Sequence, residues 1–531
     1  MKKTTLAFTC FCAFSCIASA FFLFPFLGSV PGLHFDEAWV IQTVRRMNDT
    51  GYRPLSGMNS YTGGLHFYVL WPLFNIFGYN AAVLRSFSVV LNALAAFGMF
   101  IIVRNAASPL VARGVIAFLI TSPAFVAFSR FGVEVTAVVP FLLVWGVVLI
   151  MYSQRKTSLA NATANARFKT VGIAAAGGVL IGLAAHTHAI ALVLPISFGI
   201  ALVFLRAQNY PAFVPGVNLR AAIAGFIVGF LPRLLTSGNR SAASQWKGQL
   251  TGIINLRFID DLPSLPGVLS DILNGGLIYQ RFTGENIVYV LPYVVLSLAI
   301  VILARLAVLR KSSLSSAEIL LCGMCVLVPL IILAMSPGMS PRYFLFVAWL
   351  VPLTAGMMSV HVFTHGSASV RKYVGLAWVF SVVFNVCYVG ADYFVAFKSH
   401  GGKVGVFKIG RRLLETGNHF ISTEALYRQL IEKGVSTVIA KESISFPLAV
   451  HDIEYKRLQL ITAGLEDRPE PPPESAGRTA YVYHNGPEVW RQQPWDFRDL
   501  GTFTVGTAGG LVFAKDPGFD PHFLVYRAAK Q

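Results

Sequence analysis

The sequence predicts a polytopic α-helical membrane protein with a C-terminal extracytoplasmic α/β domain, and three observations carry that expectation. Of 531 residues, 55% are hydrophobic and 13% charged, with a mean hydropathy of +0.62. Soluble domains run about 25% charged, and a water-soluble fold cannot hide this much apolar side chain. Eleven apolar runs approach the roughly 17–25 residues that cross a bilayer. The charges are also uneven. Residues 398–531 hold 17 of the 43 basic and 15 of the 25 acidic residues, leaving 26 and 10 for 1–397. Residues 1–397 therefore read as the membrane domain and 398–531 as a soluble one. This composition excludes a cytosolic enzyme, a disordered chain and a disulfide-stapled secreted domain.

The runs lie near 4–27, 84–103, 112–129, 134–152, 170–186, 188–205, 220–236, 286–307, 317–335, 342–363 and 371–394. The first begins like a signal peptide, with Lys2, Lys3 and small residues at 15–20. It stays apolar through Leu27, too long for a usual signal core, so an uncleaved first span is expected. Positive charge marks cytoplasmic loops. With the N-terminus inside, the inner loops carry Arg104 and Arg113; Arg155, Lys156, Arg167 and Lys169; Arg206 and Arg220; Arg305, Arg310 and Lys311; Arg371 and Lys372. Segments 28–83, 130–133, 237–285, 336–341 and the C-terminal domain then face outward. Residues 65–78 are apolar but short and hold Pro72; a crossing there would put every later basic loop outside, so an interfacial or re-entrant segment is expected. All six cysteines fall inside expected spans, and Cys322 and Cys325 read as apolar packing rather than a redox or metal pair. The net charge of +18 is thus an orientation signal, not a nucleic-acid footprint.

The ten acids before residue 398 are few enough to weigh singly, and nine lie on or near the outer face. Asp36 and Glu37 are adjacent, just past the first span. A carboxylate at a membrane exit needs water, a partner or a substrate. The plain reading places both at a helix N-terminus, where the dipole favours negative charge. The sharper reading is a base that takes a proton from an acceptor hydroxyl. The same loop holds His34, Arg45, Arg46 and Arg53 and a polar, Gly-rich stretch at 56–64. Guanidinium groups clamp phosphates with paired hydrogen bonds, which suggests a lipid-phosphate substrate; contact with anionic headgroups is the alternative.

The order of one span, an outer loop with an Asp-Glu pair, a Gly/Pro-rich segment and the run from Tyr68 to Asn105 resembles the GT-C membrane glycosyltransferases. The closer likeness is to bacterial relatives of protein O-mannosyltransferases and lipid A aminoarabinose transferase. Glu134, opening a span after Ser129 and Arg130, is similar to an acidic position of that group. The segment 182–188 is similar to a Gly-Leu-Ala segment that ends in Lys in many members. The segment 340–346, with Arg342, Tyr343 and then Pro352, is similar to a late Arg-Tyr…Pro segment. The likeness covers about residues 1–395.

It implies a GT-C-like domain of about 11–13 transmembrane helices, multi-pass in a bacterial inner membrane, with outer loops 28–83 and 237–285 and a periplasmic domain at 398–531. It also implies transfer of a sugar from a polyprenyl-phosphate donor, such as undecaprenyl phosphate, to a lipid, glycan or protein acceptor, usually with inversion. Asp36 would be the base, Glu37 would tune or position it, and Glu134 would be a second acid in the same cavity. Arg342 would contact the donor phosphate, with Arg85 and Arg130 as further candidates. No cofactor is implied with certainty. His186 and His188 stand where Lys is common, and they would bind phosphate, ligate a divalent metal with an outer-face carboxylate, or simply pack at the span end. An Arg130–Glu134 pair at i, i+4 is the plain account of those two.

The loop 237–285 mixes Trp246, Arg257, Asp260, Asp261, Asp271, Tyr279, Gln280, Arg281 and Glu285, as a lid or acceptor-binding element does. The tail is expected to form helices at 411–416 and 425–433, strands at 435–440, 479–484 and 511–514, and a Pro-rich loop at 468–474. It holds no catalytic constellation and reads as an accessory domain. A transporter or flippase of lipid-linked sugars is the alternative function; it would favour internal repeats and mid-membrane acids, and neither is evident. A non-enzymatic scaffold or a ligase acting on glycan polymers is the third.

Overall fold

The computed structural model describes residues 13, 15–28, 33–58, 61–159, 164–207 and 216–236, scattered positions between 259 and 273, then 316–335, 343, 345–365 and 367–388. In the C-terminal part it describes 407–409, 413–415, 420–421, 423–440, 442–453, 456–462, 478–484, 502–505, 511–519 and 523–528. The expected span at 286–307, nearly all of the loop 237–285 and the Pro-rich loop lie outside the described residues.

After helical residues 15–23 the chain runs through β1 (Leu33–His34) into α1 (Phe35–Thr50), α2 (Leu65–Phe77) and α3 (Ala81–Ala106). α4 (Pro109–Thr121), α5 (Pro123–Ser129), α6 (Val138–Leu159), α7 (Ala164–Thr187), α8 (Val193–Ala207) and α9 (Gly216–Thr236) follow. α10 (Ser316–Met335), α11 (Leu345–His365) and α12 (Ala368–Tyr388) complete the helical part. Among the described residues five helices are long and apolar enough to cross a membrane, or six with one bent pair counted as a span. Val203 and Phe204 on α8, Ile227 and Val228 on α9 and Tyr373 on α12 are exposed, the outward apolar surface that lipid covers.

One detail differs from the expected spans, and one segment kept out of them takes a definite form. The run 112–129 is not one helix: α4 and α5 meet at a 60° bend. Ser122 is extended there, its hydroxyl accepts the Phe125 N–H, and Pro123 opens α5. That is a helix start written into the middle of an apolar run. The segment 65–78 is the 13-residue helix α2, about 20 Å long at 1.5 Å per residue. It buries His66, Phe67, Leu70 and Phe74 against the rest of the molecule.

α7 is held between α6 and α9 by glycines. A Cβ on Gly178 or Gly182 would collide with the backbone of α9, and one on Gly225 or Gly229 with that of α7. These are two small-x-x-x-small pairs facing each other, which lets the helix backbones touch.

In the tail, α13 (Glu424–Glu432) and α14 (Glu442–His451) accompany a six-stranded sheet. Its strands are β5 (Thr437–Ala440), β6 (Gln459–Thr462), β7 (Thr479–His484), β8 (Thr502–Val505), β9 (Leu511–Lys515) and β10 (Phe523–Ala528), in the order β6-β5-β7-β10-β9-β8. β5 pairs parallel with β6 and β7; the remaining pairs are antiparallel. Strand alternation sends Val438, Ala480, Val482 and Val525 into one core with Leu426, Leu430, Ile444 and Leu448, while Ile439, Tyr481, Leu524 and Tyr526 cluster on the other face. The expected helix at 411–416 is instead β3 (Leu413–Glu415), antiparallel to β2 (Phe407–Ile409). Six residues hold too few turns to establish a helical period, and cross-strand pairing decides.

The tail is tied to the start of the chain. β4 (Phe420–Ile421) pairs with β1, α14 packs on α1, and the Gln42 amide donates to the Phe446 carbonyl at 2.8 Å.

Candidate active site

α1 begins with a cap built from unusual residues. His34 is extended, its Nδ1 accepts the Asp36 N–H at 3.0 Å, and the Glu37 carboxylate accepts the His34 N–H at 3.0 Å. This is a capping box with His where Ser or Thr is usual. Because Nδ1 is an acceptor, the His34 ring proton sits on Nε2. Asp36 is left beside the cap, half-buried, its Oδ2 3.6 Å from His34 Nδ1.

Glu37 turns the other way and is fully buried. Arg85 of α3 donates to it twice, Nε to Oε1 at 2.7 Å and Nη2 to Oε2 at 2.5 Å. The Gly132 N–H donates to Oε1 at 2.8 Å, and Arg85 Nη1 donates to the Leu27 carbonyl. A side chain at Gly132 would collide with Leu84 and crowd Glu37. Arg85, expected at a donor phosphate, is instead the buried partner of Glu37. Glu37 anchors the helix that carries Asp36 and does not line its cavity.

The turn after α5 brings Glu134 to the same place. Arg130, another expected phosphate ligand, donates instead to the carbonyls of Phe22, Leu23 and Pro25, satisfying the end of the first helix. The Asn92 amide donates to the Thr136 carbonyl at 2.8 Å, and the Thr136 hydroxyl donates to the Phe131 carbonyl at 2.7 Å. Glu134 therefore sits in a short 3-10 turn braced on both sides.

The third wall comes from the loop before α2, stapled to the end of α7. Thr62 bridges His188, the Gly63 N–H donates to the Thr187 carbonyl, and the Ala189 N–H donates to the Tyr61 carbonyl. His188 Nδ1 accepts the Ile190 N–H at 3.1 Å, so its proton too lies on Nε2. Tyr61 and Tyr343 flank the His188 ring at centroid distances of 5.2 and 5.3 Å, and the two tyrosine hydroxyls lie 3.4 Å apart. Arg233, buried on α9, donates from Nη1 to the Thr62 carbonyl at 2.9 Å.

Asp36, Glu134, His188, Tyr61, His66 and Trp39 thus line one cavity. Two carboxylates face it from different elements. Arg45, Arg46 and Arg53 do not. Arg45 pairs with Asp49 at 2.9 Å and lies over Tyr79, Arg46 lies over Tyr52, and Arg53 lies over Trp71 while donating to the Met47 carbonyl. Arg45 and Arg46 border a separate, open groove between α1 and the tail. His186 is buried behind Gly63 and does not line the cavity. Arg342 lies outside the described residues, one position before Tyr343. No group of three or more His, Cys, Asp or Glu able to hold a metal ion occurs among the described residues.

Sequence reasoning passed over His66, Tyr61 and Arg233. His66 is 1% exposed, and among the described residues neither ring nitrogen completes a well-formed hydrogen bond. Burial pulls its imidazole down to about 4, opposed more weakly by the Gly132 backbone. A buried polar group left unpaired costs roughly 1–3 kcal/mol. The available signal was a histidine inside an apolar helix two residues after a Gly-Gly pair.

No protein-family profile and no curated protein matches the sequence. Solved structures do match. ArnT, the lipid A aminoarabinose transferase, from Cupriavidus metallidurans in the apo state aligns over the whole of both chains with a TM-score of 0.54 at 13% identity. The same protein bound to undecaprenyl phosphate aligns over 98% of this chain and 99% of that one, with a TM-score of 0.51 at 14% identity. The Archaeoglobus fulgidus oligosaccharyltransferase in the apo form aligns over 98% of this chain and 74% of that one, with a TM-score of 0.52 at 11% identity. At such identities the likeness speaks for the fold alone: this chain shares the fold of ArnT and of the archaeal oligosaccharyltransferase, both of them GT-C proteins.

Proposed function

We propose that the protein is an integral membrane glycosyltransferase that moves a sugar from a polyprenyl-phosphate donor to a lipid, glycan or protein acceptor on the outer face of the membrane. The observation that carries this reading is the convergence of Asp36 and Glu134 in one cavity of a GT-C fold. The undecaprenyl phosphate held by ArnT supports the donor class.

In this mechanism Asp36 accepts the proton of the acceptor hydroxyl. The hydroxyl oxygen attacks the anomeric carbon as the bond from that carbon to the phosphate oxygen breaks, and polyprenyl phosphate departs with the bonding pair. Single displacement inverts the anomeric centre. Cations at the departing phosphate stabilise its charge; Arg342, beside the wall residue Tyr343, is the proposed contact. Glu134 orients the acceptor or shares its proton. The Glu37–Arg85 pair fixes α1, so that Asp36 meets the reacting hydroxyl without rearrangement. Residues 1–397 form the catalytic membrane domain, and 398–531 an outer domain that seats on α1.

The experiment is a deletion strain complemented with wild type or Asp36→Asn, with mass spectrometry of surface glycolipids and glycoproteins. The reading expects a sugar modification that only wild type restores. An unchanged glycan profile on deletion refutes it.

A further inference from the structure

The proposed chemistry leaves His66 without a task, yet its placement is the least comfortable in the cavity wall. The ring sits on the first turn of α2, 1% exposed, against Phe67 and Phe87 at centroid distances of 6.3 and 6.2 Å. Among the described residues neither nitrogen completes a well-formed hydrogen bond, although the Gly132 backbone lies near enough to act on the ring, and the residue lines the space that Asp36 and Glu134 face. Two histidines near this site are different, and a third, His186, stays behind the wall and does not line the cavity. His34 and His188 each use Nδ1 to cap a helix, so their roles in the fold are plain. His66 has no such role. Packing alone would be met better by Phe or Leu at this depth.

The chemistry of the missing partner follows from the ring. A neutral imidazole offers one N–H donor and one bare nitrogen acceptor. An anion asks only for donors, so phosphate is a poor match. A hydroxyl both gives and takes a hydrogen bond, and a sugar ring carries several. Trp39 and Tyr61 add aromatic surface to the same cavity. We propose that His66 hydrogen-bonds a hydroxyl of the transferred sugar and so helps to select and orient the glycosyl group before Asp36. This rests on the glycosyltransferase reading and names, within it, a sugar-recognition residue distinct from the base and from the phosphate contact.

A ligand-contacting residue that is unpaired when the cavity is empty leaves a signature that a structural residue does not. Full-length His66→Phe and His66→Gln, purified without substrate in lipid nanodiscs, are compared with wild type by thermal unfolding. The same variants are scored in the deletion strain by mass spectrometry of surface glycans, with Asp36→Asn alongside. The expected result is that His66→Phe unfolds at the same temperature as wild type or a few degrees higher, while its product falls at least tenfold. His66→Gln, which keeps a donor and an acceptor, recovers part of that product. Lower thermal stability in His66→Phe, with product lost only in proportion to folded protein, makes His66 structural and overturns the proposal. Full product from His66→Phe overturns it as well. Full product from Asp36→Asn, or glycans unchanged by the deletion itself, brings down the underlying reading and this inference together.

Discussion

Glu37 accepts hydrogen bonds from four donors: two on Arg85, the His34 amide and the Gly132 amide. Breaking a buried ion pair from one side strands a charge, a loss of about 3–5 kcal/mol. Glu37→Leu and Arg85→Leu are each expected to lower the unfolding temperature markedly, and the double variant to lose less than the sum. Thermal melts of the three proteins check this. The adjacent acids were conspicuous in the sequence, but their division of labour was not. Neighbouring residues on a helix point about 100° apart, so one faces the cavity and the other the core, and only the partner at residue 85 shows which. His66 yields a pH prediction. Its pKa falls from 6.5 to about 4 on folding, so between those values the unfolded chain binds the proton and the folded chain does not. Stability from this group is complete above pH 6.5 and declines as the pH falls toward 4. His66→Phe should flatten that decline, as read from unfolding temperatures at pH 7 and pH 5.

The helices were legible as apolar runs, because length and hydropathy alone mark them. Their mutual packing was not. Helices apolar on all sides carry no stripe to show which face meets which neighbour. The spacing of Gly178 with Gly182 and of Gly225 with Gly229 was in plain view, yet only the structure sets the pairs against each other. Gly182→Val and Gly229→Val should each cost about 1–3 kcal/mol or more by forcing α7 and α9 apart. Gly199, which has open space around its Cβ position, is the control: Gly199→Ala should leave the unfolding temperature near wild type. The break at Ser122-Pro123 was readable as a cap and a proline, but a long apolar run masks such punctuation when spans are counted by length. The arginines in and just after α1 are a related case. Three cations in one loop suggest a phosphate clamp, whereas Arg45, Arg46 and Arg53 lie over Tyr79, Tyr52 and Trp71, neighbours that linear sequence does not pair with them.

The cavity is assembled from α1, the loop before α2, the turn after α5 and the end of α7, and the tail pairs with β1 next to the capping His34. Convergence across such separations is what a single sequence leaves unstated; the scarcity of acids drew attention to Asp36 and Glu37 before any geometry, whereas Glu134 entered only through the resemblance. The proposed orientation is open to test. In a cysteine-free background, Thr50→Cys should react with an impermeant thiol reagent added outside intact cells, and Ser367→Cys only after permeabilisation; the reverse pattern inverts the topology. The central claim, that Asp36 is the base of a sugar transfer, is tested most directly by single-turnover transfer with purified Asp36→Asn in nanodiscs, using undecaprenyl-phosphate sugar and the acceptor identified from the deletion strain. General-base catalysis accounts for about 10²–10⁴ in rate. The account predicts a loss of that size with donor binding and unfolding temperature preserved, and transfer at the wild-type rate would contradict it.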